Sequence, residues 1–99
     1  MITWESEPWL KYQHIKGTMA YHEGRVVIMG GTGLQQESYE DHTYVEWLNQ
    51  NGVLNSTDKT YGTWIEGVNL PITLEEASAI SDGYYLYIFG KTILKINNI

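Results

Sequence analysis

The chain contains no cysteine. That excludes disulfides, thiolate nucleophiles and cysteine-bound zinc or iron–sulfur centres. Basic residues are few: 6 Lys and Arg stand against 12 Asp and Glu. Nucleic-acid phosphates demand clustered cations, so nucleic acid is not an expected partner. No apolar run approaches the roughly 18–20 residues of a membrane-crossing helix. No signal-peptide pattern opens the chain, so membrane insertion is not expected and the cytoplasm is the default compartment. Helical signals are also scarce. The best candidate, Leu70–Ile80, contains Leu74-Glu75-Glu76-Ala77 but is weakened by Pro71 and by β-branched neighbours. It reads as a loop entering a strand, with a short helical turn as the alternative.

What is present favours strands in a single small domain. Val, Ile and Thr number 5, 10 and 9, and 13 aromatics join them among the 99 residues. Glu23-Gly24 separates Thr18–Tyr21 from Arg25–Met29, and Asp82-Gly83 separates Ala77–Ile80 from Tyr84–Phe89. An acidic residue beside glycine tolerates positive φ, so both sites predict tight hairpins. Asn51-Gly52 predicts a third turn after Thr43–Leu48, and Thr92–Ile96 predicts a last strand. The fold class expected is all-β.

An internal repeat organises these strands. Thr3-Trp4 returns as Thr63-Trp64, Leu10 as Leu70 and Gly30 as Gly90, and Val26–Met29 falls on Leu86–Phe89. The shared order is Thr-Trp, Leu, a small-residue strand, a glycine turn, an apolar strand and Gly. Repeats of this length built from four strands indicate propeller blades. The run Arg25–Met29 followed by Gly30-Gly31, an aromatic at Tyr39 or Tyr44, and Trp64 resembles a blade of the kelch β-propellers. In the second copy, Tyr85–Phe89 is followed by Gly90, but Lys91 replaces the second glycine and no tryptophan follows. The resemblance implies two four-stranded blades, with protein–protein contact as the commonest role. A small open β-sandwich or barrel with a chance repeat is the competing reading.

In the blade layout, residues 1–5 form an outer strand that completes another blade. Residues 6–66 form the first blade, and 67–99 a second blade lacking its outer strand. Two blades cannot close a ring of the usual 4 to 8. The expectation is therefore a homo-oligomeric ring, with trimers giving six blades. Ile2, Thr3 and Trp4 of one copy would pair with Ile93, Leu94 and Ile96 of the next. A fragment of a longer propeller is the alternative.

The loops at one end, residues 5–16, 30–42, 65–76 and 90–92, carry Glu5, Glu7, Glu37, Glu40, Asp41, Glu66, Glu75 and Glu76. Loops on a rigid scaffold are the usual place for binding. Candidate contacts are Trp9, Tyr12, His14, Tyr39, Glu40, Asp41, His42, Glu75 and Glu76. An acidic, aromatic rim suits a cationic protein surface, or a sugar stacked on a ring. Solubilising acids are the plain alternative. Glu40-Asp41-His42 reads as a solvated loop, since sequence neighbours rarely converge on one point. His14 and His42 lack metal-site spacing, and Gly30-Gly31-Thr32-Gly33 lacks the Gly-Lys-Ser/Thr ending of a phosphate loop. No calcium loop and no hydrolase triad is legible, and Glu75-Glu76 reads as a surface pair. Neither catalysis nor a cofactor is expected. The leading reading is a non-enzymatic binding or structural module that recognises protein, and the runner-up is an oligomeric, carbohydrate-binding propeller lectin.

Overall fold

The computed structural model describes residues 2–99. Within them the chain is all-β, with nine antiparallel strands in three sheets. Strands β1 (Thr18–His22), β2 (Arg25–Met29), β5 (Val45–Leu54) and β6 (Tyr61–Glu66) form one sheet in the order β1-β2-β5-β6. Strands β3 (Thr32–Gln35) and β4 (Ser38–Asp41) form a separate hairpin between β2 and β5. Strands β7 (Ser78–Ser81), β8 (Leu86–Phe89) and β9 (Ile93–Ile96) form the third sheet in that order. Residues 70–77 contain no helix, consistent with a loop that leads into β7.

Glu23 and Gly24 both take positive φ and close the β1–β2 turn. At the second hairpin, the Asp82 carboxylate accepts the backbone N–H groups of Tyr84 and Tyr85. This Asx-type turn delays β8 to Leu86, two residues after the expected start. The chain does not reverse at Asn51-Gly52, where the Asn51 carboxamide oxygen accepts the Val53 N–H in a local Asx turn. There β5 continues to Leu54, and its pairing with β6 shifts between Asn49 and Leu54. Positive φ at Gly52 serves this bulge. The reversal falls at residues 55–60, where the Asn55 N–H donates to the Thr60 carbonyl and the Lys59 N–H to the Asn55 carbonyl. The stretch expected as a loop at 30–42 holds the β3–β4 hairpin.

The β1–β2 and β7–β8 hairpins pair in registers sixty positions apart. Thr18↔Met29, Met19↔Ile28, Ala20↔Val27 and Tyr21↔Val26 pair in the first hairpin. Ser78↔Phe89, Ala79↔Ile88, Ile80↔Tyr87 and Ser81↔Leu86 pair in the second, each partner sixty positions on. Outside each hairpin lies the next strand, with Met29↔Val45 in one sheet and Phe89↔Ile93 in the other. A cation–π contact follows the same plan with its members exchanged. The Arg25 guanidinium lies 4.5 Å from the Trp47 ring, and the Lys95 ammonium 4.4 Å from the Tyr85 ring.

The core forms where one face of the first sheet meets one face of the third. Val27, Met29 and Val45 pack with Leu86 and Ile88, joined by Leu70 and Leu74 from the connection. Ala20, Ala77 and Ala79 let the inner strands β1 and β7 approach closely. Fully buried His22 fastens the two sheets at one end: Ser81 Oγ–H donates to its Nδ1 at 2.6 Å, and its Nε2–H donates to the Asn97 carbonyl at 3.1 Å. Gly30 and Gly31, both at positive φ, sit where a Cβ would meet the Leu74 carbonyl at 2.8 Å and the Ile15 carbonyl at 2.5 Å. The doublet is a backbone crossing point.

Ile88→Ala removes a large side chain from the centre of this interface. Its expected cost is about 2–5 kcal/mol in urea denaturation. Val53→Ala, at an exposed position on β5, is expected to change stability by less than about 0.5 kcal/mol.

Candidate functional site

The densest polar cluster lies at the end of the first sheet where β1 begins, β2 ends and β5 begins. Its centre is Glu46, on β5, whose residue surface is 0% exposed. Its Oε1 accepts the Lys11 N–H at 2.7 Å, and its Oε2 accepts the Tyr12 N–H at 3.2 Å. The same Oε2 lies 2.6 Å from His14 Nε2, and His14 Nδ1 lies 2.8 Å from the Gly30 carbonyl. Burial pushes the Glu46 carboxyl up, but the His14 hydrogen bond and the two backbone N–H groups outweigh it. The net effect holds the carboxyl below the ordinary glutamate value. Glu46 is therefore an acceptor, and His14 faces acceptors at both ring nitrogens. The contact is a buried hydrogen bond to a carboxylate, the stronger kind of hydrogen bond.

A second layer surrounds this pair. His42 stands edge-on to His14 at 4.9 Å between ring centroids. Its Nε2–H donates to the Gln13 carbonyl at 2.5 Å, and its Nδ1 accepts the Tyr44 N–H at 3.3 Å. Tyr12 stacks on Tyr44 at 3.9 Å and donates its hydroxyl hydrogen bond to Glu66. That bond to a carboxylate raises the Tyr12 phenol above its ordinary value. All four imidazole nitrogens of His14 and His42 thus have protein partners. Among the described residues, no group of three or more His, Asp or Glu side chains converges as metal ligands. The cluster's chemistry is that of a clamp, which fixes residues 11–14 across the sheet.

The structure brings together only part of the expected loop face. Tyr12, His14 and His42 form the clamp. Tyr39, Glu40 and Asp41 stand on β4, whose four residues are all exposed. The Thr32 hydroxyl ties β3 to Asp41 at 2.8 Å. Glu75 and Glu76 lie in the bend before β7, where Lys16 approaches Glu76 at 3.6 Å. Trp9 lies elsewhere. Its N–H donates to Asp58, in the loop that closes the β5–β6 hairpin at the end opposite Glu46 and Glu66. Glu5 and Glu7 line a groove with Asp58 and Lys59 at that loop. The acids expected on one face therefore divide between two ends. The reason is the bond from the Trp64 indole N–H to the Pro8 carbonyl, 2.8 Å, which pins the early segment alongside β6. Ile2, Thr3 and Trp4 form no strand within the chain, and Trp4 is fully exposed at 101%. Ile93, Leu94 and Ile96 form β9.

Two functional-looking residues were not among the sequence candidates: Glu46 and His22. A single acid inside the otherwise apolar run Val45–Leu48 is the signal that marks Glu46. Comparison with protein-family models, with curated proteins and with solved structures yields no match.

Because the Glu46 carboxyl is depressed in the folded state, its stabilising contribution is complete above the unfolded glutamate value, about pH 4.3. It is lost as pH falls through the lower, folded value. Glu46→Gln is expected to cost about 3 kcal/mol at neutral pH, as for breaking a buried pair. It should also flatten the acid limb of stability against pH, read by urea denaturation between neutrality and strong acid. An unchanged acid limb would remove Glu46 as its origin.

Proposed function

We propose that the chain is a non-enzymatic binding or structural module that assembles with copies of itself into a closed, propeller-like ring of the kelch type. One observation carries this reading. The first and third sheets cover each other on one face, and the opposite face of each leaves apolar side chains exposed, on the first sheet beyond the part that residues 8–14 cross. On the first sheet that outward face presents Met19, Tyr21 and Val26; on the third it presents Ile80, Phe89 and Ile93.

These outward faces are the two halves of the contact already made inside the chain. The register places Met19 where the third sheet has inward-facing Ala79, and Ile80 where the first sheet has core-packed Ala20. A second copy offers each outward face the kind of surface that its equivalent already covers. Large exposed apolar patches mark association surfaces. The contact is head-to-tail, and it forms a ring when the rotation from copy to copy closes. Two sheets per copy make three copies a six-bladed ring.

The exposed hairpin β3–β4 belongs to neither outward face. It is the part of the module left to meet other proteins, through Tyr39, Glu40 and Asp41. Its three carboxylates, Glu37, Glu40 and Asp41, beside one ring favour a basic protein surface over an acidic one.

Light scattering after size exclusion is expected to give a defined multiple of the 11.4 kDa chain, with three copies favoured. A single-chain mass with cooperative folding would overturn the ring. Glu40→Ala combined with Asp41→Ala should leave the mass unchanged, because β4 lies on neither outward face.

A further inference from the structure

Resting on that self-assembly reading, we infer that residues 3–6 of one copy form the fourth strand of the third sheet of its neighbour, with Trp4 seated in the cavity between that neighbour's two sheets. The internal register identifies the strand and fixes its alignment. Since β5 lies beside β2 as β9 lies beside β8, Val45 corresponds to Ile93, Glu46 to Leu94, Trp47 to Lys95 and Leu48 to Ile96. On the far side of β5 lies β6, with Asn49↔Thr63, Leu48↔Trp64 and Trp47↔Ile65. Among the described residues, β9 is paired on one side only. The dipeptide Thr63-Trp64 that occupies this place on β5 is repeated as Thr3-Trp4, in an early segment that forms no strand of its own. Transposed onto β9, the alignment sets Thr3 opposite Asn97, Trp4 opposite Ile96 and Glu5 opposite Lys95.

Three independent features agree with this alignment. First, the side is right. Trp64 shares a sheet face with Leu48 and Ile28. The counterpart of Ile28 is Ile88, which points into the core. Trp4 in the same setting therefore points between the sheets. An apolar cavity of about 210 Å³ lies there, lined by Val45, Val68, Leu70, Ile88, Leu94 and Ile96. Second, a partner for the indole is in place. Trp64 donates its N–H to the Pro8 carbonyl. The residue sixty positions beyond Pro8 is Val68, which lines this cavity. The Val68 carbonyl is the equivalent acceptor for Trp4. Third, the charges match, since Glu5 faces Lys95 and opposite charges facing across a sheet stabilise the pair.

The energetic case is equally direct. In the single chain Ile2 and Trp4 are fully exposed, and the β9 edge has no strand beside it among the described residues. Donation buries the tryptophan and pairs the edge in one step.

The chain has no cysteine, so an introduced pair reports without background. Facing residues on antiparallel strands have Cα atoms about 4.5–5.5 Å apart, within disulfide reach. Glu5→Cys chains mixed with Lys95→Cys chains under mild oxidation are expected to give a covalent dimer containing one of each. The double variant is expected to lock into a covalent species of the full ring mass. Trp4→Ala changes a residue exposed in the single chain, so folding is spared. It should raise the concentration at which the assembly dissociates by at least about a hundredfold, the equivalent of truncating one large buried side chain. A multimer that persists with no Glu5–Lys95 cross-link would overturn strand donation and leave the face-to-face assembly standing. A monomer with no cross-link would overturn both. A double variant cross-linked within one chain would show that the segment closes its own sheet.

Discussion

A sheet with two apolar faces needs two covers, and the rest of this structure follows from that constraint. The first and third sheets satisfy it once, against each other, through Val27, Met29, Val45, Leu86 and Ile88. Small residues on the inner strands let β1 and β7 come close, and His22 holds the pair at one end through Ser81 and Asn97. The outward face of the first sheet is covered only in part, where residues 8–14 cross it over Trp64 and Glu46. Beyond that crossing, Met19, Tyr21 and Val26 meet solvent.

The Glu46–His14 pair is best understood beside its counterpart in the repeat. Sixty positions after His14 stands Leu74, and the ladder equivalent of Glu46 is Leu94; both leucines pack in the core. Leucines therefore stand in one half where the hydrogen-bonded His14 and Glu46 stand in the other. Burying ions is costly, and an apolar replacement often does as well for stability alone. What a leucine cannot do is accept backbone N–H groups. Glu46 accepts two, from Lys11 and Tyr12, and so sets the register of an otherwise loosely tied segment. The corresponding segment at 67–74 is tied by the main chain instead. There Gly67 and Leu70 donate to the Val45 and Thr43 carbonyls, and Leu74 accepts from Gly31. The carboxylate supplies in one half what backbone pairing supplies in the other.

Legibility in the sequence followed the range of the forces involved. The β1–β2 and β7–β8 hairpins were readable because glycine beside an acid acts within a few residues. The pairing registers of these two hairpins are sixty positions apart. Asn51-Gly52 misled because a positive φ serves a bulge as well as a turn, and the choice rests on pairing with β6. The β3–β4 hairpin was hidden because its reversal uses Gln36 at positive φ and its strands have little apolar alternation. At the site, Tyr12, His14 and His42 stood out by residue type. Glu46 and His22 did not, since their burial is set by partners more than thirty residues away. Trp9 was displaced from the expected face by Asp58, a contact spanning 49 positions.

The two outward faces also limit what an assembly can be. They differ in kind: one belongs to a sheet whose fourth strand is present, the other to a sheet with three. A two-fold contact would set like against like. It would pair Met19 and Tyr21 with themselves and leave the Ile80–Ile93 face bare. Contact between unlike faces covers both, but then every added copy presents the same unlike pair again. Such a series stops only when rotation brings the last face onto the first; otherwise it grows as a filament. If each copy placed its first and third sheets in a closed ring, as proposed, the ring would contain an even number of them. Within that rule, the angle between the first and third sheets of one chain decides the number of copies. In the proposed assembly, the core residues that set this angle, with Val27 and Met29 against Leu86 and Ile88, would therefore govern its size without lying on either outward face.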